Sequence, residues 1–160
     1  YASQVLWSRI GAEKNALWSL DFDGGMEKTF CCFNSTARDF SKIGLLMLNK
    51  GVLGGDTIID PNYIDWLLSV PLIVESDKKS MSYMKTVNHY SNSWYVAKVN
   101  NENIFYARGF LGQYIVVVPE LNLVFVRLGM SENDKSELYN DYMLTDNLKF
   151  FIKWVINEYS

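Results

Sequence analysis

Four apolar runs rich in Val, Ile, Tyr and Phe follow one another late in the chain: Trp94 to Val99, Ile104 to Arg108, Gln113 to Val118 and Leu123 to Leu128. β-Branched and aromatic side chains fit a pleated surface, so each run reads as a strand. The joints are Asn100-Asn101-Glu102, Gly109 to Gly112 and Pro119 to Asn122. A parallel crossover needs about a dozen residues or more, and these joints are of hairpin length, so the strands pair antiparallel in chain order. Such a meander carries an apolar face that another layer must cover.

The helices that could cover it are marked by their ends. Thr145 is placed to cap a final helix whose Leu148, Phe151, Ile152, Val155 and Tyr159 form one stripe. Ser35 and Thr36 are N-cap candidates for an earlier helix, with Asp39 three residues after Thr36 as in a capping box. Its expected apolar face is Ala37, Phe40, Ile43, Gly44 and Met47, and Gly51 is its expected stop. Gly54-Gly55 turns the chain, Ile58 and Ile59 make a short buried piece, and Asp60-Pro61 starts a short helix through Leu68. Val5, Leu6 and Ile10 fit the last turns of a helix stopped by Gly11, while Asn15 to Phe33 has no period, only turn residues between the aromatic anchors Trp18, Phe22 and Phe30.

The polar stretch Glu75 to Asn88 reads as an exposed loop that divides the chain. The expected class is therefore α+β, with residues 1–89 holding helices and loops and 90–160 the antiparallel strands and a C-terminal helix. No internal repeat appears.

Composition narrows the partners. Of 160 residues, 15 are Lys or Arg and 18 are Asp or Glu, a formal net charge of -3, which is no electrostatic footprint for a phosphate backbone and argues against nucleic acid. Ile115 to Val118, extended through Tyr114, is far short of the roughly 20 residues of a membrane span. Hydrophobic residues at 49% are ordinary globular usage. The chain opens without Met, inside an amphipathic segment, and is expected to be a fragment.

Few residues offer chemistry. His89 is the single histidine and reads as a surface-loop residue, and no His or Cys stands at metal-ligand spacing. Cys31 and Cys32 are adjacent; their Cα atoms must lie about 3.8 Å apart, below the usual disulfide range, so both are expected to be small buried hydrophobes. Ser76-Asp77-Lys78-Lys79 and Ser82-Tyr83-Met84-Lys85 match Ser-x-x-Lys, in which a lysine one turn after a serine takes its hydroxyl proton. Neither flank has the apolar period of a buried helix start, so both read as coincidence. Tyr90 and Trp94 read as strand aromatics that pack a core. Gly109 and Gly112 permit a bulged hairpin or close backbone approach by a ligand.

Four segments in order carry a resemblance: Trp7 to Ala12 "WSRIGA", Asn34 to Gly44 "NSTARDFSKIG" continued by "LLMLNKG", Tyr90 to Val96 "YSNSWYV", and Ala107 to Pro119 "ARGFLGQYIVVVP" with "PELNLVFVRLG" after it. They resemble the C-terminal half of the serine beta-lactamase and penicillin-binding-protein-like hydrolases, especially the class C-related branch with its esterases, amidases and D-aminopeptidases. The resemblance implies a partial beta-lactamase/transpeptidase-like fold from an enzyme of bacterial envelope type, with the nucleophilic Ser-x-x-Lys and Tyr elements upstream of this chain, no metal or cofactor, and a small-molecule or peptide substrate.

Within that resemblance, Ile104-Phe105-Tyr106 stands where the family carries Lys/His-Thr/Ser-Gly, and Ala107 takes the place whose backbone N–H completes the oxyanion hole. The missing Lys and Thr turn the expectation from beta-lactams towards esters, amides or peptides, with Arg108 as the nearby cation and Trp94, Gly109 and Gln113 lining the cleft. The alternative is a non-catalytic binding module on the same scaffold. Self-association through an exposed sheet edge is a further expectation.

Overall fold

A computed structural model of the chain describes residues 1–69, 87–99, 102–109, 112–129 and 146–159. Its centre is a five-stranded antiparallel meander: β5 (Val87–Ser91), β6 (Trp94–Val99), β7 (Glu102–Arg108), β8 (Tyr114–Val118) and β9 (Leu123–Arg127), hydrogen-bonded in that order. Four of these strands are those expected from the apolar runs. The fifth, β5, begins inside the stretch read as loop, and it straddles the division expected at residue 89. It pairs through Tyr90↔Tyr95 and Ser91↔Trp94, with a register shift between Val87 and His89. The turn joining β5 to β6 puts Asn92 at φ 46° and Ser93 at φ 75°, the two positive angles of a type I′ hairpin.

Both faces of the sheet are covered. On one face Ala97, Val99, Ile104, Tyr106, Tyr114, Val116 and Val118 meet Ile152 and Ile156 of α3 (Asp146–Tyr159). On the other, Trp94, Phe105 and Val117 meet Met47 of α1 (Ala37–Leu48) and Ile64 and Leu67 of α2 (Pro61–Ser69). Alternation along each strand sends successive residues to opposite faces, which accounts for the near-continuous apolar runs. The stripe expected on α3 is narrower than its spacing suggested: Ile152, Val155 and Ile156 are buried, whereas Phe151 and Tyr159 are exposed. Thr145 lies outside the described residues, as do Ser76, Ser82 and the lysines of both Ser-x-x-Lys matches. Among the described residues no helix is long and apolar enough to cross a membrane.

α1 starts where its capping box predicts. Thr36 is the N-cap, and its hydroxyl oxygen accepts from the Asp39 amide at 3.1 Å. The Asp39 carboxylate does more than close the box. It is fully buried, and it accepts from the backbone N–H of Glu13 at 2.7 Å and of Lys14 at 3.3 Å and from the Thr36 hydroxyl at 2.9 Å. Lys42, one turn on, donates to the Gly11 carbonyl and lies 3.9 Å from Asp39. α1 ends through Lys50 and Gly51 at positive φ, with the Gly51 amide bonded to the Leu46 carbonyl at 2.8 Å.

Upstream, the expected helix end is a π-type turn, Ser3–Trp7, closed by the Ser8 amide on the Ser3 carbonyl at 3.0 Å. The segment read as an unstructured loop contains a two-stranded ribbon, β1 (Leu17–Trp18) with β2 (Phe33–Asn34). A second small ribbon, β3 (Val52–Leu53) with β4 (Asp56–Thr57), surrounds the Gly54-Gly55 turn. Trp7, Trp18 and Phe40 gather edge-on around Phe33, with ring centroids 5.1, 5.1 and 6.1 Å away. The cysteine expectation fails: Cys31 and Cys32 form a vicinal disulfide, and Cys32 is exposed rather than buried.

Two expected outcomes follow from α1. A Cβ at Gly44 would sit 2.4 Å from Val124 Cγ1 and 3.0 Å from Ile115 Cγ2. Gly44→Ala therefore sets a helix-propensity gain of about 1 kcal/mol against overpacking of about 1–3 kcal/mol. Urea denaturation should show net destabilisation, and the same substitution made in a Val124→Ala background should be neutral or stabilising. The second concerns Asp39, whose carboxyl is held below the usual range mainly by the Glu13 N–H, with the Thr36 hydroxyl, the Lys14 N–H and Lys42 adding to it and burial opposing. A depressed native pKa gives stability that is present above the unfolded value of about 4 and is lost as pH falls through the native value. Asp39→Asn should lower the melting temperature at neutral pH and flatten this acid limb, whereas Asp65→Asn, in an exposed pair with Lys50, should change little.

Candidate active site

The residues singled out around Ala107 sit at one end of the meander, where β6 begins and β7 runs into β8. Register sorts them by face. Tyr95 pairs with Tyr106, so Trp94 falls opposite Ala107, and both side chains leave the sheet on the α1–α2 face. Gly109 closes the hairpin, its amide donating to the Gln113 carbonyl at 2.8 Å. The Gln113 side chain folds across it: a Cβ on Gly109 would lie 2.3 Å from Gln113 Oε1. Trp94, Ala107, Gly109 and Gln113 thus share one face at one end of the sheet.

Arg108 does not join them. It alternates with Ala107 and leaves β7 on the α3 face, the side of Tyr106 and Tyr114. Tyr95 stacks on Tyr106 at 5.1 Å, and Tyr114 lies 6.3 Å from the same ring. A guanidinium on that face is separated by the sheet from the side chains expected to line a cleft with it.

The same register orients the backbone. In an antiparallel strand, N–H and C=O of one residue point to one neighbour and those of the next residue to the other. The bond from Gly109 to Gln113 fixes odd-numbered residues of β7 as facing β8. By the same alternation even-numbered residues face β6, where Tyr106 pairs with Tyr95 and Ile104 with Ala97. The amide of Ala107, opposite Ile115, is consequently directed into the β7–β8 ladder, and the next amide directed to the other side is that of Arg108.

Trp94 is a core residue. It is 9% exposed, packs edge-on against Phe105 at 5.9 Å and belongs to the cluster of Met47, Ile64 and Leu67. One residue that the sequence did not flag is Arg127. It ends β9 opposite Tyr114 and donates from Nη1 to the Gly112 carbonyl, which ties the hairpin tip to the edge strand; Gly112 itself is at φ 82°. Among the described residues no group of three or more His, Cys, Asp or Glu could hold a metal ion. Asp39 belongs to the clamp at the start of α1 rather than to this end of the sheet.

Against this geometry, the comparisons with known proteins are specific on fold. No protein-family model matches the chain, and no curated protein does. A solved structure described as "Putative 6-aminohexanoate-dimer hydrolase from Bacillus anthracis" is similar over 98% of this chain, at 25% sequence identity and a TM-score of 0.69. That protein is a serine hydrolase of beta-lactamase fold, so the chain has a fold of the beta-lactamase-like serine hydrolase superfamily. The chain spans 38% of the length of that structure.

The burial of Trp94 has a measurable consequence. Trp94→Ala should cost about 3–5 kcal/mol of unfolding free energy, as for other large-to-small changes at buried aromatics, and Trp94→Phe distinctly less, read from urea denaturation. A stability unchanged in Trp94→Ala would show that the ring borders open space rather than the core.

Proposed function

We propose that this chain forms the C-terminal part of a serine acyl hydrolase, an esterase, amidase or peptidase that works through an acyl-enzyme. The observation that carries the reading is the near full-length similarity of the chain to a serine hydrolase of beta-lactamase fold, joined to a β7–β8 hairpin that gathers Trp94, Ala107, Gly109 and Gln113 on one face. In this reading a serine and its lysine, in a segment other than this chain, attack the substrate carbonyl. Backbone amides at the end of β7 stabilise the oxyanion, a contribution that typically amounts to about 10²–10³ in rate per donor.

The β7 register shapes this assignment. With the Ala107 amide turned into the β7–β8 ladder, the donor falls to an amide directed away from β8, of which Arg108 is the last on the strand. Ala107 then serves through its small side chain beside Trp94. Gln113, held over Gly109, is positioned to meet substrate by its amide group. Arg108 contributes its backbone, and its guanidinium belongs to the opposite face. Substrate is a small acyl compound or peptide, and no metal or cofactor takes part in the proposed steps.

The test is covalent labelling of the full-length gene product with a fluorophosphonate, then peptide mapping by mass spectrometry. The expected result is one adduct on a Ser-x-x-Lys serine outside residues 1–160, with the 160-residue chain alone unlabelled. Absence of any adduct in the folded protein would favour a binding module on the same scaffold. An adduct on Ser76 or Ser82 would overturn the placement of the nucleophile.

A further inference from the structure

Cys31 and Cys32 are the two cysteines of the chain, and the function proposed above makes no use of them. They are bonded to each other although adjacent, with Cα atoms 3.8 Å apart. Ordinary disulfides stabilise chiefly by closing a loop in the unfolded chain, and a bridge between neighbours closes none. What this one fixes is local backbone. Cys32 sits at φ 69°, in the left-handed region that L-residues other than Asn and Asp rarely occupy. Cys32 is exposed and Cys31 half-buried.

The backbone held this way is a junction. The Trp18 indole donates from Nε1 to the carbonyls of Lys28 at 2.9 Å and Cys31 at 3.0 Å. The Cys32 carbonyl accepts from the Ser19 amide and from Asn34 Nδ2, both at 3.1 Å. The next residue, Phe33, is the centre of the aromatic group made with Trp7, Trp18 and Phe40 of α1. The bridge therefore governs the turn that leads into β2, whose Phe33 packs on Phe40 of α1.

We infer that Cys31–Cys32 is a thiol-exchange site, a reversible redox switch of the turn at residues 28–34 whose reaction partner is a dithiol reductant. A thiolate of the dithiol attacks Sγ of Cys32 from the exposed side; the Cys31–Cys32 bond breaks, and Cys31 leaves as a thiolate that takes a proton. The second thiol of the reductant, as its thiolate, then displaces Cys32 from the mixed disulfide. The reductant departs as its own disulfide, two electrons and two protons having passed to the chain. Cys32 then returns to negative φ, and its carbonyl and that of Cys31 move off Ser19 and Trp18. The fold stands, because the sheet and its two covering layers do not depend on the bridge.

The experiment uses the full-length gene product that contains this chain, purified without reductant, with dithiothreitol as the probe and thiols assigned to Cys31 and Cys32 by alkylation and peptide mapping. At these two positions thiol labelling should find none before treatment, two after it, and none again after oxidation with diamide. Tryptophan emission should shift on reduction, the shift should vanish in Trp18→Phe, and the unfolding midpoint should hardly move. The double variant Cys31→Ser with Cys32→Ser should show the emission of the reduced protein and ignore dithiothreitol. Two thiols before any treatment, or thiols that form only in denaturant, would overturn the proposal, as would an emission shift that survives in Trp18→Phe.

Discussion

Burial of the inner strands β6 to β8 on both faces is the constraint from which the rest of this structure follows. A strand covered on one side alternates apolar with polar; a strand covered on both sides must be apolar throughout, as Tyr114 to Val118 is. Once both faces are dry, every backbone donor and acceptor of the inner strands must be satisfied within the ladder. Register thereby becomes rigid, since a slip of one residue would exchange the α3 face for the α1–α2 face along a whole strand. The orientation of each side chain and each amide at the end of β7 is inherited from that register.

The segment before α1 is held by different forces. Its ribbon strands are two residues long and its turn at Ser3–Trp7 is single, so regular hydrogen bonding contributes little there. Instead, α1 acts as an anchor for what precedes it: Asp39 and Lys42 bind the backbone of residues 11–14, and Phe40 joins the aromatic group around Phe33. α1 can serve so because Gly44 lets it lie close over β8 and β9, where any side chain would strike Val124. A helix fixed to the sheet on one side thus fixes an irregular segment on the other.

The end of the sheet with the candidate site combines the two regimes. Trp94 and Phe105 root it in the core, while Gly112 is tied to the edge strand by Arg127. A backbone donor aimed from such an end is preorganised, because moving it would require moving the ladder, and this is what stabilisation of a developing oxyanion demands. The similarity to a solved hydrolase structure extends to this part of the sheet, since it covers 98% of the chain.

The sequence by itself determined the elements whose causes are local. β-Branched runs made β6 to β9, Thr36 with Asp39 started α1, Pro61 started α2, and Gly51 released the chain after α1. Tertiary structure decided what depends on partners distant in sequence. Val87 to Ser91 is a strand only because β6 pairs with it, since its residues are mostly polar and its turn, Asn92-Ser93, contains no glycine. Asp39 is a buried anchor only because residues 13 and 14 come back to it. Tyr159 lies on the expected stripe of α3 yet is exposed, and Phe151, half-exposed, reaches the sheet only edge-on to Phe125 of β9. The face taken by Arg108 and the direction of the Ala107 amide follow from pairing, and composition is blind to pairing. Local signals select a conformation for a few neighbouring residues, whereas burial, register and the Cys31–Cys32 bond depend on how the whole chain closes on itself.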